Sequence, residues 1–438
     1  MRRILIALCL TIVATTARAD IDIKEVTSPG GINAWVVEEP EIPFVALELR
    51  FQGGPVLDLP GKRGATNLMV GLLEEGSGDM SAQEFQAKLE ELAASISFRA
   101  TDDTISVSAR FLTENKEDVV ALLRQALVEP RFDQEALDRV RAQVISGIAS
   151  DAKSPNTIAS DTFSAAAYGD HPYGSAIEGT IESVGNLTQD DMRDAHRNAL
   201  VRDRLYVAVV GDTTAETVGG LLDDLLGDLP QDGPPLPENI TYDMAGGITV
   251  VDFDTPQSVA LFGHGGMKRD DEDFFAAVIV NRVLGAGGFE SRLMTEVREK
   301  RGLTYGISSF LVPRFHAEVM LGRVASSNET IAEAIEVTRS EWARMAEDGI
   351  TAEELEVAKT YMTGEYPLRF DGNAEIAKIM VGMQMIGLTP EYVTNRNDFV
   401  EAVTLEDANR VAAELLQPEN LHFVVVGKPV GLENTPSE

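Results

Sequence analysis

The chain repeats itself, and the repeats come in one order. Gly30-Gly31-Ile32 recurs as Gly246-Gly247-Ile248, Val45-Ala46-Leu47 as Val259-Ala260-Leu261, and Val207-Ala208-Val209-Val210-Gly211 as Phe423-Val424-Val425-Val426-Gly427, at offsets of 216, 214 and 216 residues. An ordered set of markers at a near-constant offset constrains the fold more than any composition does. Whatever the first half builds, the second builds again, and roughly 200 residues are enough for each to close a core of its own.

The first half reads as strands, then helices, then a strand. Ile32 to Glu38 and Phe44 to Phe51 are β-branched and apolar, and two short helices follow. Ser95 to Arg99 and Thr104 to Phe111 alternate apolar and polar residues as a half-buried hairpin does, with Asp102-Asp103 between them. Lys116 to Leu127, Asp133 to Ser150 and Asn156 to Tyr168 show helical spacing, broken by Pro130 and by Ser154-Pro155. The second half opens with strands over Thr249 to Phe253 and Val259 to His264 and continues through a helix from Phe274 to Leu284. Strands grouped apart from helices predict an α+β class with mostly antiparallel sheets. Between the halves, Gly227 to Glu238 holds Pro230, Pro234, Pro235 and Pro237, a composition that predicts an extended, semi-rigid linker. The expected organisation is a targeting segment over 1–19, one domain over 20–228, a linker over 229–243 and a second domain over 244–432.

The targeting reading rests on Arg2 and Arg3, an apolar run from Ile4 to Val13, and Ala17-Arg18-Ala19, the small-x-small pattern of a cleavage site. The run is short for a bilayer span and nothing later replaces it, so a soluble, exported, periplasmic protein is expected. Its one cysteine, Cys9, lies within that segment. The remainder has neither disulfide nor thiolate ligand available to it. With 37 Lys and Arg against 71 Asp and Glu, the formal charge is -34, which opposes phosphate backbones and makes nucleic acid a poor partner.

A stretch in the second half is more specific. Gly285-Ala-Gly-Gly-Phe-Glu-Ser-Arg-Leu-Met-Thr-Glu-Val-Arg-Glu-Lys-Arg-Gly-Leu-Thr-Tyr305 resembles the corresponding segment of the pitrilysin/insulinase family of zinc peptidases, and the order of the first half through His171-Pro172-Tyr173-Gly174 resembles that family too. The resemblance implies duplicated, metallopeptidase-like α+β domains facing one another around a closed chamber. It also implies that Arg298 and Tyr305, in their R-E-K-x-G-L-x-Y context, hydrogen-bond a substrate peptide backbone.

The same resemblance locates what is missing. The family's chemistry sits in an inverted motif, H-x-x-E-H, on the first helix of an N-terminal half, with a downstream glutamate completing the zinc site. Aligned on that helix, Gly64-Ala65-Thr66-Asn67-Leu68-Met69-Val70-Gly71 puts Asn67 and Gly71 in the histidine positions and Val70 in that of the base, while the downstream ligand falls near Ser146 or Gly147. All five histidines (His171, His196, His264, His316 and His422) come later than residue 150. Glu74 and Glu75 read as a solvated face, Gly285-Ala-Gly-Gly as a tight turn before a helix because it lacks the Walker lysine, and His171 as a structural loop residue with no nucleophile paired to it by motif.

Two readings follow. In the first, this is the substrate-binding, catalytically silent subunit of a two-chain zinc metalloendopeptidase: the chain binds no cofactor, a homologous partner carries H-x-x-E-H and the zinc, and peptides or unfolded polypeptides are the substrate. In the second, the chain is a structural or peptide-binding scaffold of the same fold with no part in proteolysis. Retention of the Arg298 to Tyr305 motif favours the first.

Overall fold

The computed structural model describes residues 21–435 of the 438-residue chain. The targeting segment lies outside the described residues. The first half contributes strands β1 (Lys24–Thr27), β2 (Asn33–Glu38) and β3 (Phe44–Gln52), a small hairpin of β4 (Gly76–Ser77) and β5 (Met80–Ser81), then β6 (Ser95–Thr101), β7 (Thr104–Leu112) and β8 (Leu205–Gly211). The second contributes β9 (Gly247–Asp252), β10 (Gln257–Gly265), β11 (Ile307–Pro313), β12 (Glu318–Ser327) and β13 (His422–Gly427).

The sheets run β1-β2-β8-β3-β7-β6 and β9-β13-β10-β12-β11, so the second repeats the first without β1. Each has one parallel pair, β2 with β8 and β9 with β13, and antiparallel pairs elsewhere. The duplicated apolar markers are β8 and β13, central strands that need apolar residues on both faces because both faces are covered. Three long helices of the first half form at Lys116–Val128, Gln134–Asp151 and Pro155–Tyr168. The last starts where Pro155 fills the first helical position and the Ser154 hydroxyl accepts from the Thr157 N–H.

One face of each sheet packs on helices of its own half. The other face is covered by exchange. Helix Asn373–Met385, from the second half, lays Ile376, Ala377, Met380 and Val381 on Trp35, Val37, Ala46, Ala208 and Val210 of the first sheet. Helix Pro155–Tyr168, from the first half, lays Ala159, Phe163 and Ala167 on Val259, Leu261, Val424 and Val426 of the second. Neither half buries its central strands alone, and each fully buried apolar side chain of these layers is worth roughly 1.5–3 kcal/mol.

From Gly227 to Gly246 the chain forms no helix or strand. It is laid against both halves: the Arg204 guanidinium donates to the Pro234 carbonyl at 2.7 Å, and the Ile240 N–H to the His316 carbonyl at 2.7 Å. No helix among the described residues is long and apolar enough to cross a membrane.

Candidate functional site

Arg298 and Tyr305 sit at the ends of a pinned loop. Arg298 belongs to a wide helical turn, Met294–Glu299, whose Val297 is fully buried, and after it the Gly302 N–H donates to the Arg298 carbonyl at 2.8 Å and the Leu303 N–H to the Val297 carbonyl at 3.0 Å. Gly302 makes this turn at φ +66, a conformation that costs glycine nothing. Thr304 then fixes the exit, its hydroxyl donating to the Ala325 carbonyl at 2.6 Å and accepting from the Gly306 N–H at 3.0 Å.

Val297 and Leu303 are the buried anchors on either side, and Arg298 between them is half-buried. Tyr305 is 87% exposed. The Arg298 guanidinium lies 4.6 Å from the centre of the Phe289 ring, itself exposed, and neither it nor the Tyr305 hydroxyl has a hydrogen-bond or ion-pair partner among the described residues. The neighbouring charges are spent locally: Glu296 takes Lys300 at 2.7 Å and Arg301 at 2.8 Å. Gly285-Ala-Gly-Gly is a widened helical turn over Arg282–Ala286 followed by a short 3₁₀ turn, and Gly285 is required there because a Cβ would stand 2.6 Å from the Ser309 nitrogen.

The degenerate motif lies on the first helix, Ala65–Leu72. Its N-terminus is well held: the buried Asp58 carboxylate accepts from the Gly64 and Thr66 N–H groups at 2.9 Å each and from the Thr66 hydroxyl at 2.7 Å. The helix therefore persists without the metal chemistry. Val70 is buried, Asn67 half-buried and Gly71 exposed, and a Cβ on Gly71 would stand 3.2 Å from Val140 on helix Gln134–Asp151. Gly147, further along that helix, is exposed with open space around it, and Ser146 is exposed beside it. One amide, an apolar side chain, two glycines and a serine do not fit zinc, which takes imidazole, thiolate or carboxylate. Among the described residues no group of three or more His, Cys, Asp or Glu is arranged to hold a metal ion. Glu74 and Glu75 are half-buried rather than fully solvated, Glu75 pairing with Arg139 while burial raises the Glu74 carboxyl.

A second cluster escaped the sequence reading. The turn between β6 and β7, Asp102-Asp103, meets the turn between β11 and β12, which carries Arg314 and His316. The Tyr173 hydroxyl donates to the buried Asp103 carboxylate at 2.6 Å and accepts from the His316 N–H at 3.3 Å, while Arg314 stacks 4.7 Å over the Tyr173 ring. Burial pushes Asp103 up to about 6 against the pull of the Tyr173 hydrogen bond, and burial lowers both His171 and His316. His171 takes the structural part expected of it, its Nδ1 accepting from the Tyr173 N–H at 3.1 Å. The cluster joins the two halves.

Two family models match the chain in succession. One described as Insulinase (Peptidase family M16) matches residues 35–181, and one described as the Peptidase M16 inactive domain matches 186–362. The chain belongs to peptidase family M16. Its M16 relatives include a non-peptidase homolog, YmxG, of Helicobacter pylori, 24% identical over 390 residues that cover 88% of this chain and 89% of that protein. An uncharacterized zinc protease of Streptomyces coelicolor is 24% identical over 90% of this chain and 87% of its own length. The crystal structure of a peptidase M16 inactive domain from Pseudomonas fluorescens superposes with a TM-score of 0.87 at 26% identity, covering 95% of this chain and all of that one. That of a protease from Helicobacter pylori shares the fold, with a TM-score of 0.83 at 18% identity over 93% of this chain and 99% of its own.

Proposed function

We propose that this M16 chain is the substrate-binding, catalytically silent subunit of a heteromeric zinc metalloendopeptidase. The observation that carries the reading is the contrast between its two motifs: Asn67, Val70, Gly71 and Gly147 offer no ligand set for zinc, whereas Arg298 and Tyr305 stand on a pinned loop with no hydrogen-bond or ion-pair partner for their side chains among the described residues. Similarity to a peptidase M16 inactive domain and to a non-peptidase homolog supports silence on this chain. Two donors held on a rigid loop suit a peptide carbonyl, and their preorganisation is what a hydrolytic site needs from the side opposite its metal. A homologous chain with an intact H-x-x-E-H motif supplies that metal. Peptides or unfolded polypeptides are the substrate, and the amino-terminal targeting pattern supports a periplasmic setting.

The test is complementation. The purified mature chain is mixed with a purified homologous chain bearing H-x-x-E-H, and peptide hydrolysis is followed for each alone and for the pair. Hydrolysis from the pair is expected at a rate far above the sum of the two chains. A pair no faster than that sum would overturn it.

A further inference from the structure

A helix with its side chains is about 10 Å wide and neighbouring strands lie about 4.8 Å apart, so one helix covers about two strands. Helix Pro155–Tyr168 covers β10 and β13, and on the same face of β12 and β11 Val319 and Val312 pack into that layer while the stretch around Arg323 and Ser308 is left open. The result is a groove of about 710 Å³ between that helix and the outer edge of the second sheet. Its floor is apolar, with Phe163 from the helix, Leu321 from β12 and Phe310 from β11; hydroxyl residues line it from the helix, Ser160, Ser164 and Tyr168, and from β11, Ser308.

Two arginines line the groove: Arg314, which lies 3.7 Å from Asp102 and stacks over the Tyr173 ring, and, on the floor, Arg323. Arg323 lies opposite Ser308 in the β11–β12 ladder, is exposed, and has no carboxylate within 4 Å among the described residues. In a chain with a formal charge of -34 most cations have carboxylates to pair with, and the overall field repels anions. A preference for an acidic ligand would therefore have to come from a local cation. Arginine presents a planar fork that fits a carboxylate with two parallel donors.

We infer that this groove is a substrate subsite that takes an extended peptide carrying an acidic side chain, with Arg323 as the residue that reads the carboxylate. The inference rests on the substrate-binding reading of Arg298 and Tyr305. Gly306, which follows Tyr305, lines the mouth of the groove, and Ser308, beside Arg323, is three residues on from Tyr305. Three residues of strand span about 10 Å, so a peptide held at its backbone by Tyr305 sets a side chain about three residues away against Arg323. The first sheet provides a control. Arg110 pairs with Ala46 as Arg323 pairs with Leu261, on the equivalent strands, and it too is exposed without a carboxylate within 4 Å among the described residues, but it lines no such groove.

The experiment is fluorescence anisotropy on the full mature chain with labelled peptides of one apolar and serine-rich sequence, differing only in Glu or Gln at one position that is moved along the peptide. The Glu peptide should bind about tenfold more tightly at the best position, the worth of a charge-assisted hydrogen bond. Arg323→Gln should bring it down to the Gln peptide, Arg323→Lys should restore part of the preference, and Arg110→Gln should leave it intact. Equal binding of both peptides at every position, or a Glu preference that survives Arg323→Gln, would overturn the assignment. Tyr305→Phe separates the two proposals. If it weakens both peptides alike, groove and clamp act on one ligand; if it changes neither while the Arg323-dependent preference stands, the acidic subsite holds and the clamp reading fails.

Discussion

Met380→Ala tests whether the exchanged helices make the two halves one folding unit. Met380 is fully buried on helix Asn373–Met385 in the cluster that includes Trp35, Ala46, Ala208 and Val210 of the first sheet. Removing its side chain costs the transfer of the lost atoms and leaves a cavity, together about 2–5 kcal/mol. That is a large share of the roughly 5–15 kcal/mol that holds a typical protein folded. The chain has two tryptophans, one in each half: Trp35 against the exchanged helix and Trp342 buried in the second core. Urea unfolding followed by fluorescence in Trp342→Phe and Trp35→Phe backgrounds therefore watches each half separately. If the halves fold as one, Met380→Ala lowers the stability read by either tryptophan by the same free energy. A loss confined to the Trp35 signal, with Trp342 unmoved, would refute the reasoning and leave two independently folding halves.

Asp103→Asn should change the pH dependence of stability. The native carboxyl holds its proton up to about pH 6 and the unfolded one only to about 3.8, so raising the pH between those values costs the native state; the variant, free of that cost, should gain on the wild type by at most about 3 kcal/mol across the window. His171, His316, Arg314 and Asp102 surround the site in both proteins and cancel in the difference, and parallel stability profiles from pH 4 to 7 would contradict the assignment. A second expectation concerns metal content: the isolated mature chain should carry no stoichiometric zinc after purification and hydrolyse no peptide. One zinc per chain by elemental analysis, lost together with activity on chelation, would show that a ligand set exists which Asn67, Val70, Gly71 and Gly147 do not supply.

Much of the architecture was legible because apolar patterning reports burial. The duplicated Val207–Gly211 and Phe423–Gly427 runs are the doubly covered strands β8 and β13, and the Asp102-Asp103 hairpin and the three helices that follow it fall within a residue or two of their expected bounds. What covers those central strands was not legible. Helix Asn373–Met385 has no sharply amphipathic pattern, and its partners in the first sheet lie more than 150 residues earlier in the chain. The same distance hid the Asp103 cluster. Asp102-Asp103 reads as a polar turn until Tyr173 and His316, from two other parts of the chain, bury it. Arg298 and Tyr305 were singled out by their motif, and the glycine and threonine between them hold the loop that leaves Tyr305 exposed and Arg298 half-buried against Phe289. Arg323 has no motif. An arginine in an alternating strand signals only a polar position, and its lack of a counter-ion emerges from the fold.

The most direct measurement is the turnover of the reconstituted pair with Tyr305→Phe in this chain. The substitution removes one exposed hydroxyl and leaves the anchors at Val297 and Leu303 in place, so assembly and stability should be unchanged. If that hydroxyl stabilises charge on the substrate carbonyl during the reaction, turnover should fall on the order of 10²-fold, and Arg298→Ala should raise KM as well. Normal assembly of both variants with peptide hydrolysis at the unmodified rate would contradict the account and leave the chain as a scaffold of the M16 fold.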